Sequence, residues 1–531
     1  MTGEVDVIVI GSGFGGAVMA CRLAEAGARV VVLERGRRWT PEQYPRKPED
    51  PWFYHHSQPH KLDGWLDLRL LKGMAVALGA GVGGGSLCYS SVVMKADPEY
   101  FDGGGWPAEI TYSELLPYYD KVHAMMGVND IPAGQHTHRF QLLQQAADKL
   151  GYGDRFRSMP LALTFDPAYH YGLPDPLDHK HSKPFTNPQG KRQGTCVHLG
   201  NCDIGCDVQA KNALDFNYIP AAENHGADVR PLHLVRYVEP VAGGYRVVFD
   251  RIENGQLVPG SLTGKRVVIS AGSLGSTEIL LRSRDQYRTL PAVSQTLGSN
   301  WSPNANFLTP DLYADPAKIH QGIGPTISAG VDFMDGALGG KRFIIEDDGF
   351  PNLFLNAVLA KLRSAPLSPA GWALRTAFQR GFNEKNPMDR VMVWLGAGVD
   401  AGDGRLHLGR DWLAPWKQEL KLDWDVRRSE GVIDAILDLH KRLSEASGGH
   451  LQVPVYWRLF KNLVTVHPLG GCKMGGDAGT GVVDHRGQVF GYENLYVADG
   501  SVLPSPVGRN PSMTIAALAE RSARLLADGI A

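Results

Sequence analysis

At 531 residues, with 43% hydrophobic and 21% charged side chains, the chain has the make-up of a soluble globular enzyme and the length of roughly two to four domains. A formal net charge of −2 leaves no basic excess for a polyanion, which sets nucleic acid aside as a partner. Six cysteines are too few for a disulfide scaffold at this length, and no apolar run reaches the ~18 residues of a membrane span. No basic leader or cleavage site precedes the first strand-like run, so a cytoplasmic protein is expected.

Residues 5–10 (VDVIVI) read as a buried parallel strand, 16–27 carry helical periodicity, and 28–33 form a second strand ending in Glu34. Between the first strand and the helix lies Gly11-Ser12-Gly13-Phe14-Gly15-Gly16, a G-x-G-x-x-G turn in its required βαβ context. Gly11 permits the turn, Gly13 admits a pyrophosphate, Gly16 lets helix and sheet pack closely, and Phe14 between them is a candidate cofactor contact; the free N–H groups of the first helical turn face the phosphates. Glu34 stands where an acid accepts hydrogen bonds from ribose hydroxyls. Residues 78–86 (LGAGVGGGS) are a second glycine loop, set between apolar segments, so Gly81, Gly83, Gly84, Gly85 and Ser86 are candidates to wrap a pyrophosphate or a flavin ring.

Cys196, Cys202 and Cys206 match no spacing that completes a four-ligand metal site, and His55, His56 and His60 lack a ligand set, so no metal is expected. Residues 266–281 read as a strand, a small-residue turn and a helix. Residues 494–503 are a strand ending in Asp499-Gly500, and 512–527 a helix. A cofactor domain gathered from the beginning, middle and end of a chain is a flavoprotein habit. The run 464–472 (VTVHPLGGC) holds His467, which by itself is as well explained as a buried structural histidine; the adjoining proline and glycines suggest a turn that presents it.

These segments resemble the glucose–methanol–choline (GMC) oxidoreductases, and within them the cholesterol oxidase branch with non-covalent FAD. The matching pieces are GSGFGG (11–16), GVGGGSL (81–87), AGSLGSTEILL (271–281), GSNWSPNANF (298–307), HPLGGC (467–472) and GYENLYVADGSVLPSPVGRNP (491–511). The resemblance implies an α/β fold, with a Rossmann-like FAD domain from about 1–41, 207–301 and 463–531 intertwined with an α+β substrate cap from 42–206 and 302–462. It carries FAD contacts onto Gly11, Gly13, Gly16, Glu34, the 81–86 loop, Asp499 and Gly500, and a backbone contact to adenine onto Val235. The active-site pair becomes His467 and Asn510, for which an N-cap role before the last helix is a second reading. The glutamate that moves a proton in steroid isomerisation becomes Glu346, through its spacing to Pro351 downstream of His320-Gln321; a solvated acidic turn is the alternative. Tyr89 and Ser512 depart from the branch's pattern, and no histidine near the glycine loop offers a covalent flavin link.

The implied activity is oxidation of a bulky apolar alcohol, a 3-hydroxysteroid for instance, with O2 as acceptor. A dehydrogenase passing electrons from another lipophilic or aromatic alcohol to a quinone or protein carrier is the alternative, and a flavin-binding module without catalysis a third. A side chain must accept the hydroxyl proton, and histidine titrates in the right range. Asn510 offers an amide to the substrate oxygen or the flavin edge. Residues 356–385 carry Lys361, Arg363, Arg375, Arg380 and Lys385 among Leu, Trp372 and Phe378, which fits either an ordinary cap element or transient contact with a membrane surface.

Overall fold

The apolar run at the start of the chain becomes the strand Val5–Ile10, flanked on both sides by parallel neighbours, Gln256–Ile269 and Val30–Leu33. Val7, Ile8 and Val9 are fully buried, as a strand covered on both faces requires. The computed structural model describes residues 5–528 except 48, 62, 104, 316–318, 350, 352–389 and 411–417. The basic stretch 356–385 therefore lies outside the described residues. The first sheet has seven strands in the order His233–Val241, Gly244–Glu253, Gln256–Ile269, Val5–Ile10, Val30–Leu33 and Asp228–Arg230. The seventh, Leu495–Val497, pairs parallel with the end of Gln256–Ile269. Strands from three distant stretches of the chain thus meet in one Rossmann-like layer. The segment read as a short strand over 266–269 is the tail of a longer one, whose first part makes an antiparallel hairpin with Gly244–Glu253. That hairpin escapes notice because 256–264 has no sustained apolar run and is interrupted by Pro259 and Gly260.

The helix Phe14–Glu25 covers this sheet and packs against Ser512–Ala527, the last helix, whose bounds are those read from the sequence. Buried Glu520 ties the two together, accepting from Arg22 Nε at 2.9 Å and Nη2 at 2.8 Å, and from the Tyr218 hydroxyl at 2.7 Å.

A second sheet of six antiparallel strands runs His450–Leu451, Phe307–Leu312, Val391–Gly398, Phe343–Asp348, Ala329–Asp332 and Phe156–Ser158. One face packs on the helix Glu430–Ser447, so closely at Gly396 that a Cβ there would stand 2.3 Å from Ile436 Cγ2. The other face carries Ile344, Leu395 and Ala397, clustered with Val92, Met159 and Ile327. Alternation along Phe343–Asp348 sends Asp347 to the helix side and Glu346 and Asp348 to the opposite one.

A third, four-stranded sheet matters most for the site. Its strands are Phe53–Tyr54, Leu66–Leu71, Met74–Gly79 and Leu463–Thr465, and the last two pair in parallel with Thr465 opposite Val76. Met74–Gly79 leads into the second glycine loop, and Leu463–Thr465 leads into His467. Two motifs almost four hundred residues apart are launched side by side. Among the described residues no helix is long and apolar enough to cross a membrane.

Asp347 is fully buried, bound by the N–H groups of Ser328 and Ala329 at 2.7 Å each, by the Ser328 hydroxyl, and by the buried Arg139 at 3.5 Å. Arg139→Met strands this carboxylate and should lower unfolding free energy by about 3–5 kcal/mol. Arg29→Ala, breaking the exposed pair with Asp6, should cost at most about 1 kcal/mol. Denaturant midpoints of the two variants check the contrast.

Candidate active site

The first glycine turn is built by backbone approach. Gly11 has φ +96°, and a Cβ there would lie 2.3 Å from the Ser270 carbonyl oxygen; one at Gly16 would lie 2.0 Å from the oxygen of Gly11. Gly13 and Gly85 differ. A Cβ on Gly13 finds no atom nearer than Gly84 Cα at 4.0 Å, and one on Gly85 finds nothing within 4 Å, because both face a cavity. No side chain caps the helix Phe14–Glu25 and no acid stands in its first turn, so its N–H groups are left for an anion. Glu34 lines the same cavity. Its carboxylate accepts from Ser12 N at 3.1 Å, Ser12 Oγ at 2.7 Å and Gly36 N at 2.9 Å, so it also pins the glycine turn to the end of the second strand.

Of the second loop, Gly84 and Gly85 line the cavity together with Gly11, Gly13, Phe14, Val235, Asp499 and Gly500. Gly16, Gly81, Gly83 and Ser86 lie behind that surface and act by shaping it. Gly81 packs under Trp39, and Ser86 Oγ donates to the Gly83 carbonyl at 2.7 Å while accepting Leu214 N–H at 3.0 Å. Asp499 is buried, accepts N–H bonds from Gly272 at 2.9 Å and Ser501 at 2.8 Å, and is held above the ordinary carboxylate range by that burial. Tyr89 packs edge-on against Phe14 with ring centres 5.5 Å apart, and its hydroxyl donates to the Asn212 carbonyl.

His467 is positioned by a backbone clamp. Ser302 and Leu469 exchange N–H···O bonds of 3.0 Å, Gly471 and Gly298–Ser299 add bonds of 2.7 and 3.1 Å, and on the other side Gly470 and Cys472 donate to Gly500 and Ser501 at 2.9 Å. The 469–472 segment is thus threaded between two others. A Cβ at Gly470 would sit 2.0 Å from the Asn300 carbonyl oxygen, and one at Gly471 2.2 Å from Thr277 Oγ1, which explains the paired glycine. Thr465 Oγ1 accepts His467 N–H at 3.0 Å, and Asn306 Oδ1 accepts Val466 N–H at 3.2 Å. The imidazole lines the cavity, its Nδ1 buried without a hydrogen-bond partner, and burial lowers its pKa to about 4.

Asn510 is likewise set by its neighbours. Asn304 accepts Gly508 N–H at 2.8 Å and donates to the Arg509 carbonyl at 2.9 Å, while the Arg509 guanidinium holds Asp97 and Asp332 at 2.8 and 2.9 Å. Pro511, not Asn510, occupies the N-cap position of the last helix, which has no side-chain cap. Instead Asn510 Nδ2 lies 3.5 Å from Glu346 Oε2. Glu346 is no solvated turn residue: it is fully buried within a strand, and burial raises its pKa to about 8. Strand register aligns it in one row with Leu395 and Leu308, both lining the cavity. His467, Asn510, Leu308 and Leu395 share one cavity of about 1250 Å³ with the glycine cradle, above the roughly 300–1,000 Å³ of a usual ligand site.

Residues 9–56 match the NAD(P)-binding Rossmann-like domain and residues 413–519 the GMC oxidoreductase model. A cholesterol oxidase of Mycobacterium tuberculosis is 30% identical, the alignment covering 99% of this chain and 91% of that protein. The chain belongs to the GMC oxidoreductase family. A cholesterol oxidase of Acinetobacter baumannii is 29% identical over 98% of this chain and 94% of its own. The fold of this GMC oxidoreductase is shared with pyridoxine 4-oxidase from Mesorbium loti, at TM-score 0.63 and 15% identity over 98% and 99% of the two chains. A fungal aryl-alcohol oxidase aligns at TM-score 0.60 and 17% identity over the whole of both. The protein is therefore a flavoprotein oxidoreductase acting on CH–OH groups, and its open glycine cradle and uncapped helix suit the diphosphate of FAD.

Asn304, Asn306, Thr465 and Arg509 were not singled out in the sequence. The motif GSNWSPNANF contains two of them, but a loop asparagine shows its partner only once the chain is folded. Gly13→Ala sets a methyl into the cradle without striking protein atoms; the variant should keep its far-UV circular dichroism and lose most of its flavin. Gly11→Ala, which strikes Ser270, should instead lower stability. Flavin-to-protein absorbance ratios and thermal melts measure both.

Proposed function

We propose that this GMC oxidoreductase oxidises the CH–OH group of a bulky apolar alcohol, a 3-hydroxysteroid, to the ketone, with O2 as acceptor and FAD held non-covalently. The observation that carries the reading is the juxtaposition of His467 and Asn510 with an apolar wall of Val92, Leu308, Ile327 and Leu395 in one cavity. The near-full-length similarity to cholesterol oxidases supports it. In this reading segments 1–41, 207–301 and 463–531 carry FAD, with Val235 at the adenine, and 42–206 and 302–462 enclose the substrate.

Alcohol oxidation removes a proton and a hydride; bound FAD supplies the hydride acceptor. The proton is the protein's task. His467, neutral at pH 7 because burial disfavours its charged form, accepts it from the substrate hydroxyl. Asn510 donates an amide N–H to the substrate oxygen. Glu346, protonated at neutral pH, accepts at Oε2 from Asn510 Nδ2 at 3.5 Å and so orients the amide, whose second N–H is left for the substrate. In its ionised form Glu346 is the base that relocates a ring double bond. Its pKa of about 8 lies close enough to the working pH for both forms to be used.

Anaerobic addition of a 3-hydroxysteroid should bleach the flavin, and readmitted air should restore it with stoichiometric peroxide; reoxidation only by a quinone would replace oxidase with dehydrogenase. Acid precipitation should leave the flavin in the supernatant. His467→Ala should retain FAD and slow flavin reduction by about 10²–10⁴. With His467 ionising at about 4, wild-type reduction should rise with pH through that value and stay level at neutrality. Isomerised ketone should form about tenfold more slowly per pH unit below 8 and level off above it, where Glu346 is ionised. Glu346→Gln should release the ketone with its double bond unmoved. Product chromatography across pH reads these outcomes.

A further inference from the structure

Glu346, Asp347 and Asp348 end one buried strand, and their surroundings differ. Asp347 faces the helix side and is fully met by Ser328, Ala329 and Arg139. Glu346 meets Asn510. Asp348 lines the cavity, is only 7% exposed, and its carboxyl makes no hydrogen bond to a described residue. Leaving a buried carboxyl unmet costs free energy that nothing in the protein offsets. Asp348 is not alone. Asp203, from the turn Cys202–Ile204, lines the same cavity, and of the charged groups around Asp348 it acts on it most strongly. Ser90, which follows the second glycine loop, also lines the cavity and donates its hydroxyl to Asp203 at 2.9 Å. The nearby Lys211 ammonium is committed elsewhere, to the carbonyls of Leu87, Tyr89 and Cys202. The surfaces around this acid pair are apolar: Val92, Ile204, Ile327 and Pro351 line the cavity with it.

We propose that Asp348 and Asp203, with Ser90, form a polar subsite inside the apolar substrate cavity, which takes a second hydroxyl of the substrate, remote from the carbinol that is oxidised. Asp348 is two residues along an extended strand from Glu346, a distance of roughly 7 Å on the same face. Glu346 in turn meets the Asn510 that faces the reacting oxygen. The second hydroxyl therefore belongs on a neighbouring ring of a fused skeleton, and the substrate class narrows from a steroid mono-alcohol to a steroid ring diol. A carboxyl pair suits this guest: a hydroxyl donates to one oxygen and accepts from a protonated partner. Burial raises the pKa of both acids, and Asp203 raises that of Asp348 further, which keeps a proton available between them.

This inference rests on the proposed steroid alcohol oxidation, and one experiment separates the two. Anaerobic flavin reduction is followed with a 3-hydroxysteroid and with 3,7- and 3,12-dihydroxysteroids of the same skeleton, using the wild-type holoenzyme, Asp348→Leu, Asp348→Asn and Asp203→Asn. The wild type should favour at least one diol over the mono-alcohol by about 10- to 100-fold in the second-order rate. Asp348→Leu should bring that ratio to near unity, while Asp348→Asn, which still hydrogen-bonds, should keep part of it. A wild type that treats all three alike, or prefers the mono-alcohol, overturns the subsite and leaves steroid oxidation standing, whether or not the variants fold. An unchanged ratio in a folded Asp348→Leu overturns it too. If none of the steroids reduces the flavin, the steroid reading itself fails and the subsite with it.

Discussion

The arrangement depends on a short run of backbone hydrogen bonds. The segment 469–472 is threaded between 298–302 and 500–501, bonded on both sides, and its paired glycines exist because Asn300 and Thr277 leave no room for a Cβ. This clamp joins three stretches of the chain at the wall of the cavity. It delivers His467 on one flank and, through the turn after Asp499, the Asn510 region on the other. It also explains why a histidine on a loop can be held well enough to act: its own N–H, and that of Val466, are taken by Thr465 and Asn306. A catalytic side chain needs this kind of support, because small displacements from reacting geometry cost large factors in rate.

Burial then sets the chemistry of the polar groups. The same desolvation that lowers the pKa of His467 raises that of Glu346, so one is an available base and the other an available acid at neutral pH. The antiparallel sheet supplies the contrast needed for selectivity. Its cavity face alternates apolar Leu308 and Leu395 with carboxyls at Glu346 and Asp348, whereas Asp347, one residue away, is consumed by Arg139 and adjacent backbone and serves only the fold.

Much of the cofactor side was legible in the chain. The VDVIVI run, the glycine turn and the following helix are local features whose physics lies within some thirty residues, and the last helix likewise carries its own periodicity. The motif around His467 was legible as a site, because proline and paired glycines mark a demanding backbone. Glu346 was ambiguous: FIIEDDG reads equally as a strand with buried acids or as a strand running into a solvated turn, and only neighbouring strands decide. The hairpin at 244–264 was not legible, since its second strand is broken by Pro259, Gly260 and Gly264. Nor were the roles of Asn304, Asn306, Thr465 and Arg509, each of which has its partner far away in sequence.

The amino-acid sequence by itself determined the dinucleotide-binding unit, its glycine turns and the last helix, because short-range sterics and periodicity specify them. Tertiary structure decided what those residues face. It separated glycines that line the cavity from glycines that only shape it, set Asn510 beside Glu346 and not at a helix cap, and placed Asp348 on the cavity wall near Asp203. The physical reason is that burial, and with it protonation state and hydrogen-bonding need, is a property of all the surrounding segments together and is written in no one of them.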